Sequence, residues 1–331
     1  MSLPTASPAA PAASLDHLAA DTLFYLGPLG TYSHAVAQSL NARRSRPFAL
    51  EPCVSITACA ARAAQAGQLA LLPYENSSFG PVGETNAVLV RQERLYVVAE
   101  AIRAVRHSLL CSPATLERLT AGRGGTATDA EMAAGLSEIF SHEQPIGQCR
   151  GFLGRLSARR TPVESTGMAA EKAAAGAPGC AAIASAHCAE KMGLVVLREG
   201  IQDRDDNETR FLLCTSEAPP LPTAQRSRAL LAVQCRHPAP GEPGLLHVCL
   251  AHLAASDAVL RRISLDPDYA SVQLAPDGGA APGHGEWNRR YFIELEAASG
   301  EALAQVLAET QRASQESSAA GQTRLVGLWR I

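Results

Sequence analysis

Apolar positions along the chain fall into short runs separated by polar turns. The run LFYLG begins at Leu23 and ends in a Gly-Pro turn, after which PLGTYSHAVAQSL takes on helical spacing. QLALLPYENSS is a second strand closing on a polar loop, and LYVVAEAIRAVRHSLLCS supplies one or two more. Up to about Val196 the segments ATDAEMAAGLSEIF, PIGQCRGFLGRL and GMAAEKAAAG read as α/β units, with CAAIAS as a buried strand. DNETRFLLC is a further strand. Short strands alternating with helices predict an α/β fold with parallel layers.

The pattern then changes. Residues 216–227 are Pro-rich and polar, which predicts a linker. Beyond it, RALLAVQC is a strand and Pro243-Gly244 opens the helix LLHVCLAHLAAS. VLRRISL is a strand, followed by a long Gly/Pro loop, the strand RRYFIELEA, the helix GEALAQVLAETQRAS and the strand TRLVGLW. That order, βαββαβ, is ferredoxin-like and predicts a separate unit over 228–331.

Bulk properties narrow the function classes. A chain of 331 residues that is 47% hydrophobic can bury a sizeable core in two or three domains. A net charge of −3 with no basic block speaks against nucleic acid as a partner. No apolar run reaches membrane-spanning length. Nine cysteines with no Cys-x-x-Cys pair read as reduced, mostly buried thiols in a reducing, cytoplasmic compartment. The first 21 residues, rich in Ala, Pro and Ser and free of Lys and Arg, predict a disordered tail. No Gly-x-Ser-x-Gly elbow anchors a hydrolase triad, and His187-Cys188 has no matching pair for zinc, so neither metal nor cofactor is expected.

Four polar clusters interrupt the apolar elements. In GPLGTYSH a strand runs into a Gly-rich turn and a helix start bearing Thr31, Tyr32 and Ser33. Free N–H groups there can receive a carboxylate, and ordinary capping by Thr or Ser is the competing account. PYENSSFGPVGET places Glu75, Asn76 and Ser77 after a strand end, where open α/β sheets bind ligands and where polar turns also occur. SHEQPIGQC holds Gln144, and VESTGMAAEK starts a helix at Ser165 and Thr166, each also readable as a cap. In DRDDNETRFLLC, Asn207, Thr209 and Arg210 stand directly before Phe211 and an apolar run. A hydroxyl beside a guanidinium can grip a carboxylate, or Arg210 can simply pair with Asp205 or Asp206.

Together the clusters resemble the prephenate dehydratase family. Its Gly-Pro-x-Gly-Thr-Phe/Tyr-Ser opening is matched at Gly27 to Ser33, its Pro-x-Glu-Asn-Ser at Pro73 to Ser77, its Glu-Ser-Thr at Glu164 to Thr166, and its Asn-x-Thr-Arg-Phe at Asn207 to Phe211. Its His-Pro-Gln followed by Gln-Cys is matched by SHEQPIGQC, with Glu143 in place of the proline.

The resemblance implies a two-lobed catalytic domain over 22–215, like a type II periplasmic binding protein. Lobe 1 would span about 22–101 and 199–215, and lobe 2 about 102–198. It implies decarboxylating dehydration of prephenate to phenylpyruvate, with Thr209, Arg210 and Phe211 at the chemistry. Thr31, Tyr32, Ser33, Glu75, Asn76, Ser77, Gln144, Ser165, Thr166 and Asn207 would hold the substrate. Arogenate dehydration, or a sensor that binds a carboxylate or amino acid without turnover, would use the same scaffold.

The C-terminal unit is similar to the ACT regulatory domain. Gly244, Leu245 and Leu246 stand where the family has Gly-Ala-Leu, and Ser264-Leu265-Asp266-Pro267 keeps only the proline of Glu-Ser-Arg-Pro. The Glu and Arg of the family's phenylalanine site are absent, so the resemblance does not carry phenylalanine control across. It implies a homodimer or homotetramer. The helical chorismate mutase domain of bifunctional relatives is not expected in the short segment before Leu23.

Overall fold

The computed structural model describes residues 15–65, 67–218, 225–235, 244–266, 289–316 and 321–330. Pro267 and most of the long Gly/Pro loop lie outside the described residues. The first lobe begins with β1 (Thr22–Leu26), α1 (Tyr32–Asn41), β2 (Ala49–Cys53), α2 (Ile56–Ala63), β3 (Leu69–Asn76), the short β4 (Gly80–Pro81), α3 (Gly83–Arg91) and β5 (Tyr96–Ala104). The second holds β6 (Ser108–Cys111), α4 (Pro113–Leu119), α5 (Asp129–Gly135), β7 (Glu138–Ser141), α6 (Glu143–Gln148), α7 (Arg150–Leu153), β8 (Arg159–Pro162), α8 (Thr166–Ala175), β9 (Cys180–Ala184), α9 (Ala186–Met192) and β10 (Val195–Glu199). β11 (Glu208–Thr215) returns to the first sheet. The chain ends in β12 (Ser227–Cys235), α10 (Leu245–Ala254), β13 (Val259–Leu265), β14 (Arg289–Ala297), α11 (Gly300–Glu316) and β15 (Gly321–Arg330).

The sheets are mixed, not parallel throughout as the alternation predicts. β1 pairs in parallel with β2 and β3, and β7 with β8 and β9. β11, however, runs antiparallel between β3 and β5, and β6 runs antiparallel between β9 and β10. The cause is the double crossing between lobes: a strand that returns from the other lobe enters from the far end. The two crossings touch, because Val105 N donates to Asn207 O at 2.8 Å and Ile201 N to His107 O at 3.0 Å.

The tail is shorter than expected. Leu15 is buried in the cluster of Leu23, Tyr25 and Val36, and the Arg44 guanidinium donates to the carbonyls of Leu15 and Leu18. Residues 15–21 therefore belong to the packed body, held by an apolar side chain that the Ala/Pro/Ser composition hides.

The C-terminal strands order as β13-β14-β12-β15, and β15 then joins β5 at a single register pair, Gly327 with Val97. A Cβ on Gly327 would run into Val97 Cβ, so only glycine permits this approach. Around that corner the helix-free face of the C-terminal sheet lies on the first lobe. Leu230, Phe292, Val326 and Trp329 share one core with Leu72, Tyr74, Val97 and Leu212. The opposite face packs Leu231, Val233, Ile293 and Leu295 with Leu253 and Leu307 of α10 and α11.

Candidate active site

A cavity of about 220 Å³ opens between the lobes. Strand alternation decides which polar residues reach it. Thr209 lies opposite Asn76 of β3 and Arg103 of β5, so these three form a row on one face of the sheet. Thr209, Asn76 and Asn207 line the cavity together with Tyr32, Gln144, Ser165 and Thr166.

The hydrogen bonds fix where free donors point. Asn76 Oδ1 accepts from the backbone N–H groups of Ser78 at 2.9 Å and Phe79 at 3.2 Å. Its amide must then face the other way, donating to Asn207 Oδ1 at 2.8 Å and Thr209 Oγ1 at 2.9 Å. Asn76 has no capacity left for a ligand. Thr209 accepts from Asn76 and so keeps its own O–H proton available. Asn207, 3% exposed, has its carbonyl engaged, and its buried Nδ2 lacks a partner among the described residues. A buried unpaired donor beside a cavity is costly unless something polar arrives there.

Tyr32, at the first turn of α1, donates its hydroxyl to Arg106 O at 2.7 Å and lies 3.0 Å from His107 Nδ1. Burial, reinforced by the Cys188 and Cys149 thiols, pushes the Tyr32 phenol far above its ordinary range, so it stays neutral. His107 Nε2 lies 2.6 Å from Gln148 Oε1, and burial lowers the imidazole pKa. Ser165 caps α8 by accepting from Met168 N at 3.1 Å and still lines the cavity, so here capping and cavity lining coincide.

Other expected site residues sit elsewhere. Thr31 is the cap of α1, accepting from His34 N and donating to Leu26 O or Pro28 O. Ser33 is buried in α1. Ser77 ties the loop before β11, donating to Asp206 O and accepting from Glu208 N. Glu75 turns to the far side of the sheet, where it pairs with Arg262 of β13.

Two of the three residues expected at the chemistry are displaced. Arg210 faces away from the cavity. It donates Nε to Glu100 at 2.6 Å and both Nη atoms to Glu294 at 2.7 and 2.8 Å. Burial by itself would lower its pKa, but the hydrogen bonds and charge of Glu294 and Glu100 overcome this and raise it. Its charge is spent inside the protein, and it holds no substrate carboxylate. Phe211, 1% exposed, does not wall the cavity: it lies beneath the floor in the cluster against which Tyr32 packs. Gly244 stands at the N-cap of α10, and Leu245 is core while Leu246 packs beside it.

The reading of the sequence missed Phe79, Val105, His107, His142, Pro145, Gln148 and Glu164, which also line the cavity. His142, Gln148 and Glu164 lie inside motifs matched above, and His107 carries a signal of its own as an ionisable side chain inside the apolar run that joins the lobes. No helix among the described residues is long and apolar enough to cross a membrane.

Comparison with known proteins bears on the same segment. A family model described as prephenate dehydratase matches residues 23–219. An Arabidopsis thaliana protein named arogenate dehydratase/prephenate dehydratase 6, chloroplastic, is 31% identical over 248 residues, covering 73% of this chain and 54% of the relative. A Neisseria gonorrhoeae bifunctional chorismate mutase/prephenate dehydratase is 33% identical over 197 residues, covering 58% of this chain and 49% of its own. The chain thus spans about half the length of the curated relatives it matches. Among solved structures, the prephenate dehydratase of Arthrobacter aurescens in complex with L-Phe superposes with a TM-score of 0.71 at 24% identity, over 94% of this chain and 90% of that one. A protein titled GqqA, a quorum quenching acylase, superposes with a TM-score of 0.69 at 24% identity, over 94% and 98%. These two likenesses show the fold, which by itself does not select a reaction.

Proposed function

Because the chain belongs to the prephenate dehydratase family, we propose that its interlobe cavity converts prephenate to phenylpyruvate, releasing CO₂ and water. The observation that carries this reading is the pair of unspent donors beside the cavity, the Thr209 O–H and the buried Asn207 Nδ2, left over by the Asn76 hydrogen bonds. Aromatisation of the cyclohexadiene ring drives the reaction. The electron pair of the breaking C–CO₂ bond flows through the ring and expels the hydroxyl at the opposite carbon. The protein must orient the ring and help that hydroxyl leave with a proton.

Thr209 supplies a hydrogen bond to the departing oxygen. A threonine hydroxyl is too weak an acid to be the ultimate proton source, so its part is to position and to polarise. Asn207 offers a second donor to a neighbouring oxygen of the substrate. Tyr32 forms an apolar wall held by Arg106 O, and Gln144, Ser165 and Thr166 close the other side from the second lobe. The touching crossovers at Val105 and Asn207 form a hinge about which the lobes shut and exclude water.

Arogenate is the second reading. Glu164 lines the cavity and forms no ion pair among the described residues, which suits the ammonium of the amino analogue. The test is to supply each compound to the purified protein at neutral pH and follow phenylpyruvate or phenylalanine. Turnover of neither compound removes the dehydratase.

The domain boundaries belong to the same proposal: a catalytic domain over 22–215 and an ACT-type unit over 228–331, working in the cytoplasm. The exposed apolar side chains of the edge strand β13, Val259, Leu260, Ile263 and Leu265, support pairing with a second copy. A sedimentation mass equal to one chain would remove that part. The Ser264-Leu265-Asp266 sequence gives no basis for extending to this chain the L-Phe complex of the Arthrobacter protein.

A further inference from the structure

The cavity poses a charge problem. Prephenate carries two carboxylates, yet no Lys or Arg among the described residues lines the cavity, and Glu164 adds a negative charge. The expected cation, Arg210, is turned away and neutralised by Glu100 and Glu294. Arg106 alternates to the other side of its segment, with its guanidinium 3.9 Å from Asp205.

Arg103 is placed differently. It lies directly opposite Thr209 in the β5–β11 register, on the same face. Two residues along its own chain comes Val105, which lines the cavity. Its side chain is exposed and makes no hydrogen bond or ion pair among the described residues. Its charge reaches both sides of the cleft, acting on the Tyr32 phenol of the first lobe and the His187 imidazole of the second. A guanidinium left unpaired beside Thr209 is thus the described cation best placed to meet an anion entering the cavity.

Resting on the dehydratase reading, we infer that Arg103 is the carboxylate-binding residue of this cavity and holds the substrate carboxylate that is retained in the product. The choice between the two carboxylates follows from the chemistry. A guanidinium on the carboxylate that departs as CO₂ would stabilise charge that must flow into the ring, and would raise the barrier. On the side-chain carboxylate, which keeps its charge throughout, the same contact orients the ring and sets affinity.

The test separates binding from turnover. Calorimetry with prephenate uses the Thr209→Val protein, in which turnover is slowed roughly 10²-fold or more, with and without Arg103→Gln and Arg103→Lys. Arg103→Gln is expected to weaken binding by roughly tenfold or more, and Arg103→Lys to retain most of it. The difference should shrink on going to about 0.5 M salt, because the site is exposed. In the Thr209 background-free enzyme, Arg103→Gln should raise KM by a similar factor with kcat within about threefold. Equal affinities with and without Arg103→Gln overturn the inference and leave the dehydratase untouched. A loss of binding on Arg103→Gln, in a protein whose wild type fails to turn prephenate over, supports the anion site and removes the reaction. Absence of prephenate binding at millimolar concentration overturns both.

Discussion

Thr209 and Arg210 are bonded to each other yet belong to opposite regions of the molecule. On one face of β11, Thr209 joins Asn76 and Arg103 in a row with unused capacity: a hydroxyl proton, the neighbouring Asn207 amide and a free guanidinium. On the other face, Arg210 enters a cluster, buried at its carboxylates, in which each charge has a partner. Glu100, Glu294 and Glu296 receive Arg210, Arg226, Arg228 and Arg261, and the cluster joins the first lobe to the C-terminal unit. The difference teaches how to separate polar residues that support a site from those that make it. Groups that satisfy one another hold the strand; groups with bonds left to give await a ligand.

The largest effect expected on the back face comes from Glu294→Ala. It leaves the Arg210 guanidinium buried with half its partners, at a cost of about 3–5 kcal/mol. Urea unfolding measures it, and a cost near zero would break the contrast between the faces. Replacing both residues together, as Arg210→Met with Glu294→Leu, should recover most of the loss, because the pair is removed without orphaning a charge.

Acid should weaken the same cluster. The hydrogen bond from Arg261, acting against burial and joined by Arg226 and Arg228, holds the Glu296 carboxyl at about 2 instead of 4.5. A depressed folded-state pKa gives stability that is complete above the unfolded value and is lost as pH falls. The expected loss is about 3 kcal/mol between roughly pH 4.5 and pH 2. Glu296→Gln should flatten that part of the stability profile, and an unchanged slope would remove Glu296 as its source.

The smallest effect belongs to Arg262, whose bridge to Glu75 is 20% and 31% exposed at its two ends. Arg262→Gln should cost about 1 kcal/mol or less and leave turnover nearly unchanged. A large fall in kcat would show that support from β13 reaches Asn76 through its neighbour Glu75.

Much of this was legible in the sequence. The strands and helices follow from periodicity because each element buries one face, and the βαββαβ order of the C-terminal unit could be read directly. Asn76, Asn207, Thr209, Ser165 and Thr166 do meet at the cavity, although they come from distant segments. Arg210 and Phe211 fall outside the site because adjacency in sequence is not adjacency in the site. The two-residue period of a strand sends Arg210 to the far face, and burial takes Phe211 below the floor. Arg103 carries no local signal, because an arginine in AEAIRAVRH reads as solvent-facing until the β5–β11 register puts it opposite Thr209. The fold-back of the C-terminal sheet had no local signal, since it depends on one close approach at Gly327.

The most direct test of the account is turnover of prephenate by the wild type and by Thr209→Val, with unfolding measured on both. The account predicts phenylpyruvate from the wild type, and from the variant a kcat lower by roughly 10²-fold or more at unchanged stability. A folded Thr209→Val protein that turns over at the wild-type rate would contradict it.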